Sequence, residues 1–111
     1  MDTIDQALGL EPGGQLYVQA LQLLDWGRTL RLTCSYRFPD GEAHALNLVF
    51  QDCREFKWRV YAFDDDRPDV ALVDARLGRG GHRSPAHLLT DRFGLTLIYG
   101  ELQVERGGNG A

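Results

Sequence analysis

The chain has 111 residues, 43% hydrophobic and 25% charged, with a formal net charge of −4. That length fits one domain with its own core, and that composition excludes a chain disordered throughout. The acidic balance argues against broad contact with a nucleic-acid backbone, and no apolar run approaches the roughly 20 residues that cross a bilayer, so neither nucleic acid nor membrane is an expected partner.

Residues 1–14 read as an N-terminal segment. Asp2 or Thr3 can cap a short helix, Ile4, Ala7 and Leu8 give it an apolar stripe, and Gly9 can end it; the alternative is a loose terminus. Met1-Asp2-Thr3-Ile4-Asp5 has no basic region and no apolar run of a signal peptide, so a cytoplasmic location is expected. A single β domain is expected over 15–106.

Leu16 to Asp25 fits a helix through Leu16, Ala20, Leu23 and Leu24, or a strand through Leu16, Val18, Ala20, Gln22 and Leu24. The strand is favoured, because Asp25-Trp26-Gly27-Arg28 resembles a tight turn into the next segment. Thr29–Phe38 is the clearest strand of the chain. Leu30, Leu32, Cys34, Tyr36 and Phe38 alternate with Thr29, Arg31, Thr33, Ser35 and Arg37. A two-residue beat of this kind is a strand with one dry and one wet face.

Pro39-Asp40-Gly41 is the next turn, and Glu42–Gln51 the third strand, with His44, Leu46, Leu48 and Phe50 on one face. Asp52-Cys53-Arg54-Glu55 breaks it. Phe56–Phe63 is the fourth strand, with aromatic residues on both faces. An acidic loop, Asp64–Asp69, leads to a fifth strand at Val70–Leu77. Gly78–Pro85 reads as the most flexible internal stretch. Ala86–Thr90 and Leu95–Tyr99 are two short strands, and Gly100 allows a kink before Leu102 and Val104. Residues 107–111 read as a disordered tail. The expected fold is an all-β antiparallel sandwich or barrel of about seven or eight strands.

Few patterns point to chemistry. Asp64, Asp65, Asp66 and Asp69 offer hard oxygen donors, but without the alternation and glycine of a calcium loop and with Arg67 among them. They read more simply as an acidic turn, or as a contact for a partner. Gly78, Gly80 and Gly81 free a loop backbone that could wrap an anion, and Arg79 and Arg83 could neutralise it, yet no helix follows to complete a phosphate cradle. His44, His82 and His87 lack the spacing of a common metal motif, so a site would need them to meet in space. Ser84 is not in a nucleophile elbow. Cys34 reads as a buried hydrophobe, whereas Cys53, beside Arg54, could be a partly exposed thiol with a lowered pKa. Arg31, Arg37, Lys57 and Arg59, extended by Tyr61 and Phe63, could form a basic and aromatic patch on the sheet, or pair with carboxylates on a solvated face. No catalytic residue and no cofactor is called for.

The series Thr29–Phe38, Pro39-Asp40-Gly41, Leu46-Asn47-Leu48-Val49-Phe50, Asp52-Cys53-Arg54-Glu55, Phe93-Gly94-Leu95-Thr96-Leu97 and Glu101-Leu102-Gln103-Val104-Glu105 resembles small bacterial β-proteins. In these, a strand of the form L-x-L-x-F precedes a short break, and a terminal hairpin closes the domain. Some of these are grouped with immunity proteins of polymorphic toxin systems, and many have no assigned function. The resemblance covers roughly residues 16–106 and implies a binding protein without catalytic machinery.

The leading expectation is a non-enzymatic protein-binding domain, with Asp64, Asp65, Asp66, Asp69, Tyr61 and Phe63 as contacts and a homodimer across the fourth strand. The alternative is a small-molecule-binding or metal-dependent cupin-like barrel built on His44, His82 and His87.

Overall fold

The computed structural model describes residues 13–60 and 70–106. The expectations for the N-terminal helix, the acidic loop Asp64–Asp69, Tyr61 and Phe63, and the tail fall outside the described residues. The described chain forms β1 (Gln15–Leu24), β2 (Thr29–Arg37), β3 (Ala43–Gln51), β4 (Glu55–Val60), β5 (Val70–Arg76), β6 (Ala86–Thr90), β7 (Phe93–Ile98) and β8 (Glu101–Arg106). The one helical turn among the described residues is a 3-10 turn at Asp25–Gly27. No helix among them is long and apolar enough to cross a membrane.

The strands form one antiparallel sheet in the order β4-β7-β6-β5-β1-β2-β3-β8. It is sandwich-like and not closed into a barrel. One layer holds β1, β2, β3 and β8; the other holds β4, β7, β6 and β5. The layers join where β1 meets β5 through only two residue pairs, Tyr17 with Ala71 and Val18 with Val70.

The two-residue beat becomes the core. Leu30, Leu32, Cys34 and Tyr36 of β2, Leu46, Leu48 and Phe50 of β3, and Leu88, Leu95 and Leu97 of the other layer are all buried. Burying such side chains is the main favourable term in folding, at roughly 1.5–3 kcal/mol each. β1 departs from a single phase. A bulge between Val18 and Ala20 shifts its register, so Leu16 and Val18 point inward before it and Leu21 packs on the core after it. This corrects the face expected through Ala20, Gln22 and Leu24, because the extra residue inverts every later side chain.

Two turns follow directly from their sequences. At Pro39-Asp40-Gly41, Gly41 has φ +97°, the Glu42 amide donates to Asp40 Oδ1 at 2.8 Å, and the Phe38 amide donates to the Glu42 carbonyl at 2.8 Å. Between β6 and β7 the buried Thr90 hydroxyl accepts from the Phe93 amide at 2.9 Å and donates to its carbonyl at 3.1 Å.

The chain changes layer twice at one corner. Asp52–Arg54 carries it from β3 to β4, and Tyr99-Gly100 carries it back from β7 to β8. The ribbon stays hydrogen-bonded through the bend: the Gly100 amide donates to the Gln51 carbonyl and the Arg54 amide to the Ile98 carbonyl, both at 2.9 Å. A Cβ on Gly100 would lie 3.0 Å from that of Asp52, so a larger residue there would press on the crossing strand.

Candidate functional site

The corner also gathers the unusual backbone of the molecule. Among the described residues, positive φ outside glycine occurs at Asp25, Trp26, Asp52 and His82. Asp25 and Trp26 form the tip of the β1–β2 hairpin. Asp52 opens the β3–β4 crossing. His82 belongs to the Gly78–Pro85 loop. Such conformations are disfavoured for residues with a Cβ and cluster where surrounding structure imposes them.

These elements touch. An open groove of about 430 Å³ is lined by Asp25, Trp26, Arg28, Thr29 and Asp52. Thr29 Oγ1 donates to Asp25 Oδ2 at 3.2 Å, which orients that carboxylate. The Cys53 amide donates to the Arg28 carbonyl at 2.8 Å and ties hairpin to crossing. His82 Nε2 lies 2.8 Å from the Asp52 carbonyl, which can only accept, so this ring nitrogen carries the proton. The same nitrogen is 3.3 Å from Asp52 Oδ2. Trp26 is fully exposed, and Leu23 and Leu24 beside it are about half-exposed. The corner therefore presents an indole, two carboxylates, a guanidinium and a hydroxyl on a rigid frame.

The loop that holds His82 is docked, contrary to its reading as the most flexible stretch. Gly81 and His82 donate their amides to Gly100 and Tyr99 carbonyls at 2.6 and 2.9 Å, and Arg79 and Ser84 form an isolated bridge. Gly80 has no room for a Cβ, which would sit 2.6 Å from the Gly100 carbonyl oxygen. Arg79 and Arg83 are both exposed; of the loop amides, those of Gly81 and His82 are spent on the corner and those of Arg79 and Ser84 on each other.

The three histidines do not meet. His44 Nε2 is 3.1 Å from Glu42 Oε1 and its ring lies edge-on to Phe38. His87 Nδ1 is 3.1 Å from Thr96 Oγ1 on the outer face of the second layer. Among the described residues no three His, Cys, Asp or Glu side chains gather as a metal site. Both cysteines are buried and free. Cys53 Sγ donates to the Phe50 carbonyl at 3.3 Å, and burial pushes its thiol up, opposite to the expectation of an exposed, activated thiol.

The basic patch is divided between the layers. Arg31 and Arg37 lie on β2, where Arg31 pairs with Glu105 at 3.3 Å and the Arg37 guanidinium stacks 4.4 Å over the Tyr17 ring. Lys57 and Arg59 lie on β4 in the other layer. Trp26, Asp25, Arg28 and Asp52 were not singled out as a site by their sequence. The available signal was a tryptophan in a tight turn, Asp25-Trp26-Gly27-Arg28, where small or polar residues are the rule.

No protein-family model matches the chain, and no curated protein is similar to it.

Proposed function

We propose that this chain is a protein-binding domain that engages a basic segment of its partner at the sheet-switching corner. The observation that carries the reading is Trp26, fully exposed and held at φ 63° beside the carboxylates of Asp25 and Asp52. Tryptophan and arginine dominate the energetics of protein contacts, and a lysine or arginine over an indole gains cation–π attraction. Two flanking carboxylates favour that cation further, and Arg28 can meet a carbonyl or carboxylate of the same segment. The net charge of −4 steers a basic partner toward the chain. An immunity-like role, in which the domain masks a basic toxin, is one concrete form of this reading.

A calorimetric titration with a short Lys/Arg-rich peptide at low salt tests it. Binding should weaken at least about tenfold in Trp26→Gly, a loss of about 1.4 kcal/mol, and should fall with added salt. No binding to the native chain, or equal binding to Trp26→Gly, would contradict the reading.

Self-association is a second reading, favoured by the exposure of Trp58 and Val60 on the edge strand β4. Sedimentation of the native chain against Val60→Lys tests it. A native chain that stays monomeric at about 50 µM would remove it.

A further inference from the structure

The outer face of the second layer carries a separate constellation. The register sets Lys57 opposite Thr96, Thr96 opposite His87, and His87 opposite Arg76, a polar row across β4, β7, β6 and β5. The neighbouring row begins with Arg59 opposite Gly94. Lys57 and Arg59 alternate with Phe56, Trp58 and Val60, so they share the outer face about 7 Å apart. Gly94 contributes no side chain, and the surface dips there into a groove of about 340 Å³ lined by Lys57, Trp58, Arg59, Gly94 and Thr96.

Among the described residues no ion pair engages Lys57, Arg59 or Arg76. The Thr96 hydroxyl is positioned by His87 Nδ1 at 3.1 Å. When that nitrogen carries the proton, it donates to Thr96 and leaves the threonine proton free for a ligand. The site then offers an ammonium, a guanidinium and a hydroxyl donor around one depression. Among the described residues, opposing charge on the same face comes from Glu55, two residues before Lys57, and from Asp74 across the sheet.

We infer that this groove binds a phosphate dianion, free or as a small phosphomonoester. Two cations balance the two charges, and the three donor groups match a tetrahedral oxyanion better than a planar carboxylate, which one guanidinium already satisfies. The volume lies at the low end of small-molecule sites. This site is independent of the corner and does not use Trp26, Asp25 or Asp52.

The test is calorimetry of the full chain with inorganic phosphate and, separately, with a nucleoside monophosphate. Phosphate is expected to bind with Kd of about 1 mM at low salt. Lys57→Gln/Arg59→Gln should weaken it at least tenfold, and Arg31→Gln on the other layer should leave it unchanged. Glu55→Gln keeps both cations and should tighten it two- to threefold, which keeps the inference testable if the double variant misfolds. Tighter binding of the monophosphate would identify the ester as the preferred form; tighter binding of phosphate would identify the free ion. No binding of either at about 10 mM, or equal binding by native chain and well-folded double variant, would overturn the inference. So would a Glu55→Gln variant no tighter than the native chain.

Discussion

Leu32→Ala is the sharpest probe of the packing. Leu32 is 1% exposed and stands between Leu21 of β1 and Leu48 of β3 in the hydrogen-bonded register. Removing its outer carbons forfeits their transfer free energy, and neighbours fixed in two ladders cannot collapse into the gap. Leucine-to-alanine changes at closely packed sites cost about 3–5 kcal/mol, and the confinement here places Leu32 near about 4 kcal/mol. For a domain of this size that corresponds to a fall in Tm of about 20 °C. Arg31→Ala, one residue away on the opposite face, removes an exposed ion pair with Glu105 and should cost at most about 1 kcal/mol. Urea unfolding followed by tryptophan fluorescence reads both. Trp58 is stacked 4.4 Å from the Phe93 ring and reports the fold, whereas Trp26 is already in solvent. A cost below about 1 kcal/mol for Leu32→Ala, or equal costs for the two variants, would refute the assignment of faces.

Gly78→Ala should destabilise more than Gly81→Ala in the same assay, since both positions have positive φ but only at Gly78 would a Cβ strike backbone, the Pro85 carbonyl oxygen; equal losses would mean the loop is not docked as described. Trp26→Gly should leave stability unchanged or raise it by up to about 1 kcal/mol, because glycine relieves the left-handed backbone while no packing is lost; a large loss would show that the indole is structural. Burial pushes the Cys34 thiol up to about 12, so the folded chain keeps a proton that the unfolded chain loses from 9.0 upward. Stability should therefore be insensitive to this group below 9.0 and decline as pH rises from there toward about 12, with Cys34→Ala showing a shallower decline in pH-dependent unfolding; identical slopes would contradict it. Tyr99, also raised by burial, acts in the same direction in both proteins.

Strand content was legible where one face is dry. Thr29–Phe38, Glu42–Gln51 and Ala86–Thr90 each keep one phase, and the structure places strands there. β1 was legible as a strand but not in its facing, because Gln19 is an ordinary polar residue and nothing in its neighbours marks the bulge. Asp52–Glu55 was legible as a break, not as a crossing between layers. That role depends on Gly100, which lies far along the chain and meets Asp52 only in the fold. The contact of His82 with Asp52 spans thirty residues and has no local signature. The candidate corner was hidden for the same reason: Trp26 is unusual in its turn, but Asp52 and His82 are each unremarkable in theirs, and only the fold brings them to Asp25 and Trp26.

The proposed contact surface is the corner. Backbone amide NMR during titration with a Lys/Arg-rich peptide tests this directly. Shifts should concentrate at Asp25, Trp26, Arg28, Thr29, Asp52 and His82, the residues that line or brace the groove. Shifts centred on Lys57, Arg59 and Thr96, or none at saturating peptide, would contradict the account.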